Sequence, residues 1–157
     1  MLKPAIMYKE ELNKKFAEVL YDERYFYYTG YAHANTLPEI KDVEERYQYA
    51  IVKDNEVIGF FAYWIFAGTD TVDRFGLFSF KSDPIIGIDV MRKMEELIKN
   101  HRRIEWRKIG GNKVERHYDR IVKRHNGNKV VLHDVCLDNE GNYRDEMIYE
   151  IVNRWFL

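Results

Sequence analysis

Hydrophobic residues recur at helical spacing in three parts of the chain. The clearest predicted helix covers residues 88–100, where apolar side chains occupy one face of a 3.6-residue period and charged side chains the other. The apolar set is Val90, Met91, Met94, Leu97 and Ile98. Similar stripes predict helices over residues 9–20 and 112–125, with Asn112 able to cap the latter.

Alternating polar and apolar positions, rich in β-branched and aromatic residues, predict the strands. These strands cover residues 5–8, 46–53, 57–67, 72–80, 103–109, 129–137 and 143–152. A short helix over residues 37–45, opened near Pro38, completes the prediction. The order β-α-α-β-β-β-α-β-α-β-β predicts an α/β fold with a mixed, mostly antiparallel central sheet and helices on both faces.

Composition limits the class of protein. The 157 residues are 46 % hydrophobic and 32 % charged, which is typical of one globular domain. A single cysteine, Cys136, excludes an intrachain disulfide and a cysteine-rich metal site. The N-terminal residues lack the apolar region of a signal peptide, and no stretch is long enough to span a membrane. We therefore expect a cytoplasmic protein without a membrane partner.

Charge is unevenly distributed along the chain. Residues 101–129 contain ten lysines and arginines against three acidic residues, a balance of +7, and this leaves −8 for the rest because the whole chain carries −1. Such a segment can mark a surface for an anionic ligand. It is also what a solvated basic helix face beside acidic neighbours would show.

The five histidines do not predict a metal site. None of them forms an i, i+3 or i, i+4 pair on one helix, which is the spacing that helical metal sites favour. We therefore expect no metal ligands.

A strand leading into a helix is the most informative local feature. Between residues 72 and 100 a strand is followed by a loop and then a helix, and the unpaired N–H groups of a helix N-terminus attract anions. A second strand and helix follow directly, over residues 103–109 and 112–125. If the chain performs chemistry, this region is where it is expected.

The predicted order resembles the fold of the GNAT-type N-acetyltransferases, along nearly the whole chain. Three segments carry the resemblance: residues 75–80 (FGLFSF), 84–91 (PIIGIDVM) and 112–118 (NKVERHY). The resemblance implies a single acyltransferase domain over residues 1–157, with acetyl-coenzyme A as co-substrate. The acceptor would be a primary amine on a small molecule or a protein.

The resemblance also implies roles for individual residues. The fourth strand would offer backbone groups to the pantetheine arm, and the loop and helix start that follow it would hold the pyrophosphate. The cofactor-binding residues would be Phe78, Ser79, Phe80, Lys81, Gly87, Ile88 and Asn112. Tyr118 would protonate the leaving thiolate. Two positions depart from the family loop: Pro84 replaces the usual Arg or Gln, and Asp89 replaces a second small residue.

Asp89 is the more serious departure, because a carboxylate in the first helical turn would compete with the pyrophosphate for the same N–H groups. Either its side chain turns away or cofactor binding is weakened.

Amine acetylation needs a group that removes a proton from the amine, and Glu105 and Asp73 are the candidates. Other interpretations stay open. Glu105 lies between Arg103 and Arg107 and could form only ion pairs, and Asp73 could simply end strand pairing. Tyr118 could be a packing residue, Asn112 only a cap and Gly87 only a flexible turn.

Acceptor selection and oligomeric state are not predicted by any motif. Six aromatic residues within residues 21–31 could line an acceptor pocket or pack the core. A competing hypothesis is a catalytically inactive binding protein of the same fold, whose basic 101–129 segment engages nucleic acid or an acidic partner.

Overall fold

The computed structural model describes residues 1–19, 22, 38–138 and 140–155. Seven strands form one sheet in the order β1-β2-β3-β4-β5-β7-β6. They are β1 (Leu2–Pro4), β2 (Arg46–Lys53), β3 (Glu56–Phe66), β4 (Thr71–Ser79), β5 (Arg103–Ile109), β6 (Asn128–Leu137) and β7 (Tyr143–Val152). The described helices are α1 (Lys9–Val19), α2 (Pro84–Asn100) and α3 (Glu115–Arg124), with a 3-10 turn at Ala5–Tyr8.

Neighbouring strands are antiparallel except β4 and β5, which are parallel. This confirms the predicted mixed, mostly antiparallel sheet. Parallel neighbours need a crossover connection, and α2 supplies it between β4 and β5.

Helices cover both faces of the sheet, as predicted. On one face α1 packs through Leu12 and Phe16 against Phe60 and Phe78. On the opposite face α2 and α3 form the larger core, in which Val90 and Met94 are almost completely buried. We call the two sides of the sheet the α1 face and the α2/α3 face.

The periodic apolar residues predicted α2 correctly, but the helix begins at Pro84, four residues before the predicted start at Ile88. Asp83 caps the helix through a hydrogen bond from the Ile85 N–H to Oδ1, and Pro84 occupies the first helical position. Proline is favoured there because its missing N–H would be unpaired anyway. Gly87 therefore lies in the helix and not in the preceding loop.

The first strand was also misplaced. Residues 5–8 form a 3-10 turn, and the strand is Leu2–Pro4, paired with β2 from Ile51 to Tyr49. Pro4 ends it, since proline offers no N–H to continue the ladder.

The helix predicted over residues 37–45 is wrong for its described residues, 38–45, which are irregular. The side chain of Gln48 accepts a hydrogen bond from the Lys41 N–H at 3.0 Å and donates one to the Glu39 carbonyl at 2.9 Å. These bonds fasten the segment to β2 in place of a helical ladder. Leu37 and the aromatic residues of 21–31 lie outside the described residues.

Among the described helices, none combines the length and the apolar content that crossing a bilayer would require.

Candidate active site

The two parallel strands separate soon after they meet. β4 and β5 pair only at Thr71 with Arg103 and at Val72 with Ile104. Beyond this point β4 continues for seven residues and β5 for five without pairing to each other. A wedge-shaped gap therefore opens in the middle of the sheet, and we call it the slot.

A cavity of about 760 Å³ occupies the slot and the space beside it. Its walls come from β4, the first turns of α2, β5 and the segment leading into α3. Both Arg107 and Lys108 line it. Since consecutive residues of a strand face opposite sides of a sheet, the cavity reaches both faces.

Five of the predicted residues line this cavity: Ser79, Gly87, Ile88, Asn112 and Tyr118. Tyr118 is 7 % exposed, and its ring packs edge-on against Trp106 and Tyr149 at centroid distances of 5.7 Å. The Oδ1 of Asn112 accepts a hydrogen bond from the Val114 N–H at 3.1 Å, in the turn that precedes α3. Three segments far apart in the sequence thus meet around one cavity.

The other three predicted cofactor residues do not line it. Phe78 is buried on the α1 face, and the N–H groups of Phe80 and Lys81 both donate to the Ile58 carbonyl. Backbone N–H groups alternate in direction along a strand. The N–H group of Phe80 points toward β3, so the N–H and C=O groups of Leu77 and Ser79 point the other way, toward the slot. Both residues line the cavity.

The start of α2 already holds a carboxylate, contributed by Asp83 rather than by Asp89. Asp83 Oδ1 accepts from the Ile85 N–H at 2.9 Å, and the Asp83 carbonyl accepts from the Ile86 N–H at 3.2 Å. Its Oδ2 lies 2.7 Å from Lys53 Nζ, and this hydrogen bond holds the pKa of Asp83 below its usual value. The first N–H groups of the helix are therefore already engaged.

Asp89 is turned away from the helix start. Its Oδ2 lies 2.6 Å from the amino group of Met1, and its side chain is 10 % exposed. Of the two outcomes expected for Asp89, the structure therefore shows the first: its side chain is directed at the N-terminus and not at the helix start.

Lys108 is a functional candidate that no motif in the sequence indicated. Its side chain is 2 % exposed, and its Nζ lies 2.6 Å from Glu115 Oε2. This hydrogen bond is the main cause that lowers the pKa of Glu115. The sequence did contain a signal for Lys108. It follows Ile104 and Trp106 at every second position of the strand, and a lysine among buried apolar positions needs a buried partner for its charge.

Asp73 and Glu105 lie on the α1 face, where the strands begin to separate. They directly follow the last parallel pair, Val72 and Ile104, and so flank the closed end of the slot. Glu105 is engaged by Arg103 at 2.7 Å, which agrees with the ion-pair interpretation. In Asp73, Oδ1 is buried and has no hydrogen-bond partner within the described part of the chain, and burial raises its pKa.

Part of the basic 101–129 segment is paired within the chain, and part borders the cavity or, with Arg92 of α2, a groove beside it. Arg103, Lys108, Arg124 and Lys129 are paired with carboxylates. Lys113 and His117 line the cavity, and Arg120 and Arg92 line a smaller groove of about 210 Å³ between α2 and α3. His117 and Met91 are common to both spaces, so the groove continues the cavity.

Comparison with known proteins rests on structure. No family model matches the sequence, and no curated protein matches it. An N-acetyltransferase from Staphylococcus aureus Mu50 superposes with a TM-score of 0.63 and 17 % identity, over 97 % of each chain. A probable acetyltransferase of the GNAT family from Chromobacterium violaceum ATCC 12472 gives 0.62 and 14 %, over 97 % of this chain and 85 % of the other.

The chain has the GNAT acetyltransferase fold. A further match within this fold is the ribosomal-protein-S18-alanine N-acetyltransferase from Escherichia coli, with a TM-score of 0.56 and 10 % identity over 71 % of each chain. The chain spans less than two thirds of some longer structures that it matches, 64 % in one case. At these identities the shared property is the GNAT fold, and activity has to be argued from the site.

Proposed function

We propose that the protein is an N-acetyltransferase that moves an acetyl group from acetyl-coenzyme A to a primary amine. The observation that carries this proposal is the slot, which opens directly after the Val72–Ile104 pair and leads into the cavity bounded by Asn112 and Tyr118. A gap in the middle of a sheet leaves backbone groups unpaired, which is costly unless a ligand or water satisfies them. In the GNAT fold, a pantetheine arm is the ligand that fits it.

The residues present fit such a co-substrate, with one unfavourable contact. The slot-facing backbone of Leu77 and Ser79 offers hydrogen-bonding groups to an extended amide-containing arm. Lys113 and His117, followed by Arg120 in the continuing groove, offer positive charge to phosphates. Asp83 is the unfavourable contact, since its carboxylate occupies the helix start where a diphosphate would bind.

Acetyl-coenzyme A supplies an activated thioester. The remaining chemistry falls to the chain's own residues. A protonated amine has no lone pair for attack, so a base must take its proton, and Asp73 has an unpartnered oxygen and a raised pKa for this task. Glu105, which is held by Arg103, is the weaker candidate.

Tyr118 supplies the second proton transfer. As the new N–C bond forms and the C–S bond breaks, the thiolate that leaves takes the proton of the Tyr118 hydroxyl. The ammonium proton resides on Asp73 until it is released to solvent, and the second proton of the attacking nitrogen returns to the Tyr118 oxygen through solvent. One turnover therefore converts an ammonium and a thioester into an amide, a thiol and one proton. The buried ammonium of Lys108, which also lines the cavity, favours negative charge that develops there.

The binding-protein alternative is less well supported. Several cations of the 101–129 segment are held by carboxylates of the same chain, and Arg107, Lys113 and Arg120 border the cavity or its continuation. A surface for nucleic acid would not require a slot through the sheet. The acceptor class extends to protein amines within this fold, since the Escherichia coli structure is described as a ribosomal-protein-S18-alanine N-acetyltransferase.

Two measurements test the proposal. Calorimetric titration should detect acetyl-coenzyme A binding, and a thiol-release assay with a panel of amines should detect turnover. Tyr118→Phe should lower kcat about 100-fold with little change in co-substrate Kd. The matched control is Tyr143→Phe, because Tyr143 is 66 % exposed on β7 and does not line the cavity.

Absence of both heat and thermal stabilisation at millimolar acetyl-coenzyme A would overturn the assignment. Full activity in the Tyr118→Phe protein would overturn the acid role given to Tyr118 and leave the assignment itself standing.

A further inference from the structure

The α1 face beside the slot carries both acidic and basic side chains. They differ in how tightly they are held in ion pairs within the chain. A bulge in β4 creates this arrangement. Val72 and Phe75 both pack toward the α2/α3 core, so the two residues between them face the other side. These two residues are Asp73 and Arg74, and Arg74 has a φ of +52°. A non-glycine residue in this conformation is uncommon and tends to occur where a side chain has to be re-aimed.

Arg74 is free to bind an anion. Its guanidinium carbon lies 4.7 Å from the centre of the Trp64 ring and 5.9 Å from that of Phe66, so the cation lies over two aromatic rings. None of the described carboxylates forms an ion pair with it. A stacked guanidinium keeps its edge N–H groups available for a carboxylate.

Arg107 is the second available cation, on the other side of the slot. Its side chain is 54 % exposed, and its nearest carboxylate contacts are loose, at 3.9 Å to Glu105 and 3.6 Å to Glu146. Arg103, on the same strand, is by contrast tightly bound, at 2.7 Å to Glu105 and 2.8 Å to Glu150. Only Arg107 of the two both lines the cavity and retains unused donors.

Asp73 lies on the same face as these two cations, interacts electrostatically with both, and carries the unfilled acceptor of the group. Its buried Oδ1 has no partner among the described residues. An amine donates to such an oxygen, and a carboxylate on the same molecule would meet Arg74 or Arg107.

We propose that the acceptor is a primary amine that also carries a carboxylate a few bonds away, with the amine directed to Asp73 and the carboxylate to Arg74 and Arg107. This inference rests on the proposed acetyltransferase function and specifies its substrate class. Two sources have this chemistry: a free α-amino acid, and an N-terminal peptide residue followed by an acidic residue.

Matched acceptor pairs test the inference. Alanine, phenylalanine and glutamate are each compared with their α-amides by thiol release, with rates corrected for the fraction of free amine. We expect kcat/KM to be at least about tenfold higher for the acid than for the amide. The C-terminally amidated peptides Phe-Asp-NH2 and Phe-Lys-NH2 separate the two sources, because only a site for peptide ends accepts Phe-Asp-NH2 as well as free phenylalanine.

Two variants locate the carboxylate. Arg74→Gln and Arg107→Gln should each raise KM for carboxylate-bearing amines about tenfold or more, and leave kcat/KM for the α-amides nearly unchanged. Arg154→Gln, at an exposed position after β7, is the control for removing one guanidinium. Equal or better turnover of the amides, or equal losses on acids and amides in both variants, would overturn the inference.

A binding measurement keeps the two proposals apart. If no amine is acetylated, the transferase proposal fails, and ligand-observed NMR then decides the inference. Phenylalanine binding that exceeds phenylalaninamide binding and is lost in Arg107→Gln would support the amine-carboxylate site. Equal binding of the two, or none, would refute it.

Discussion

The carboxylate of Asp83 and the ammonium of Lys53 lie 2.7 Å apart at the first turn of α2. Asp83 also accepts the Ile85 N–H, so the helix start is capped by the chain itself. Any diphosphate that approaches this turn meets a negative charge that is only partly neutralised.

Asp83→Asn should tighten acetyl-coenzyme A binding. Asparagine caps helices as well as aspartate, so the helix start is kept while the charge is removed. Like charges repel at close range, and Lys53 offsets most of the charge of Asp83. We therefore expect a modest gain, roughly a fivefold lower Kd by calorimetry. Asp54→Asn, in the exposed β2–β3 turn, is the control, and an unchanged Kd for Asp83→Asn would contradict the argument.

Asp73→Asn should remove the acidic limb of the pH–rate profile. Burial raises the pKa of Asp73, so the carboxylate becomes available as a base only as pH increases through that raised value. We expect kcat/KM of the wild type to rise with pH over this range, and the variant to lose about 100-fold. Glu105→Gln should lose less than about tenfold, because Arg103 already holds Glu105. The reverse order of losses would assign the base to Glu105.

Asp70→Asn should make stability less dependent on pH. The carboxylate of Asp70 binds His101 Nδ1 and the Arg102 N–H, both at 2.7 Å, and the His101 hydrogen bond is the main cause that lowers its pKa. A depressed folded-state pKa gives stability that is present above the unfolded value and lost as pH falls through the folded one. Asparagine tolerates the φ of +48° at this position.

Because 43 % of the Asp70 side chain is exposed, water screens this pair, and in urea unfolding we expect Asp70→Asn to cost less than about 1 kcal/mol at pH 7. The difference from wild type should shrink toward pH 3. A constant difference across this range would show that the charge of Asp70 contributes nothing.

Two glycines should respond in opposite ways to alanine. At Gly127 a Cβ would lie 2.4 Å from the Glu150 carbonyl oxygen, so Gly127→Ala should destabilise the fold by about 2 kcal/mol or more. At Gly87, inside α2, a Cβ would meet nothing within 4 Å. Gly87→Ala should therefore add up to about 1 kcal/mol, since alanine favours helices. Thermal unfolding of both variants measures this, and a destabilised Gly87→Ala would indicate that the glycine has a role outside helix formation.

The pattern of side chains predicted the sheet well because alternation depends on local sequence. The strands at Arg46–Lys53, Arg103–Ile109 and Tyr143–Val152 have the predicted bounds. The start of α2 was misplaced although its signal was present, since Asp83 followed by Pro84 is a typical cap and first position. Periodicity alone gave less information there than the cap did.

The features of the site that the sequence did not predict depend on contacts between distant segments. Asp89 was expected at the helix start and instead pairs with the amino group of Met1, 88 positions away. Asp83 received no role, and its partner Lys53 is 30 positions away. The bulge that places Asp73 and Arg74 on one face results from how β4 pairs with β3, so propensity could not show it.

Only two parallel residue pairs join the halves of the sheet, β1 to β4 and β5 to β6. Backbone hydrogen bonds therefore do little to fix how far apart the strands stand at the mouth of the slot. That spacing is set by the side chains wedged beneath α2, among them Val90 and Met94. Adding or removing a methyl group there should widen or narrow the entrance, so access for ligands can be tuned at positions that no ligand touches.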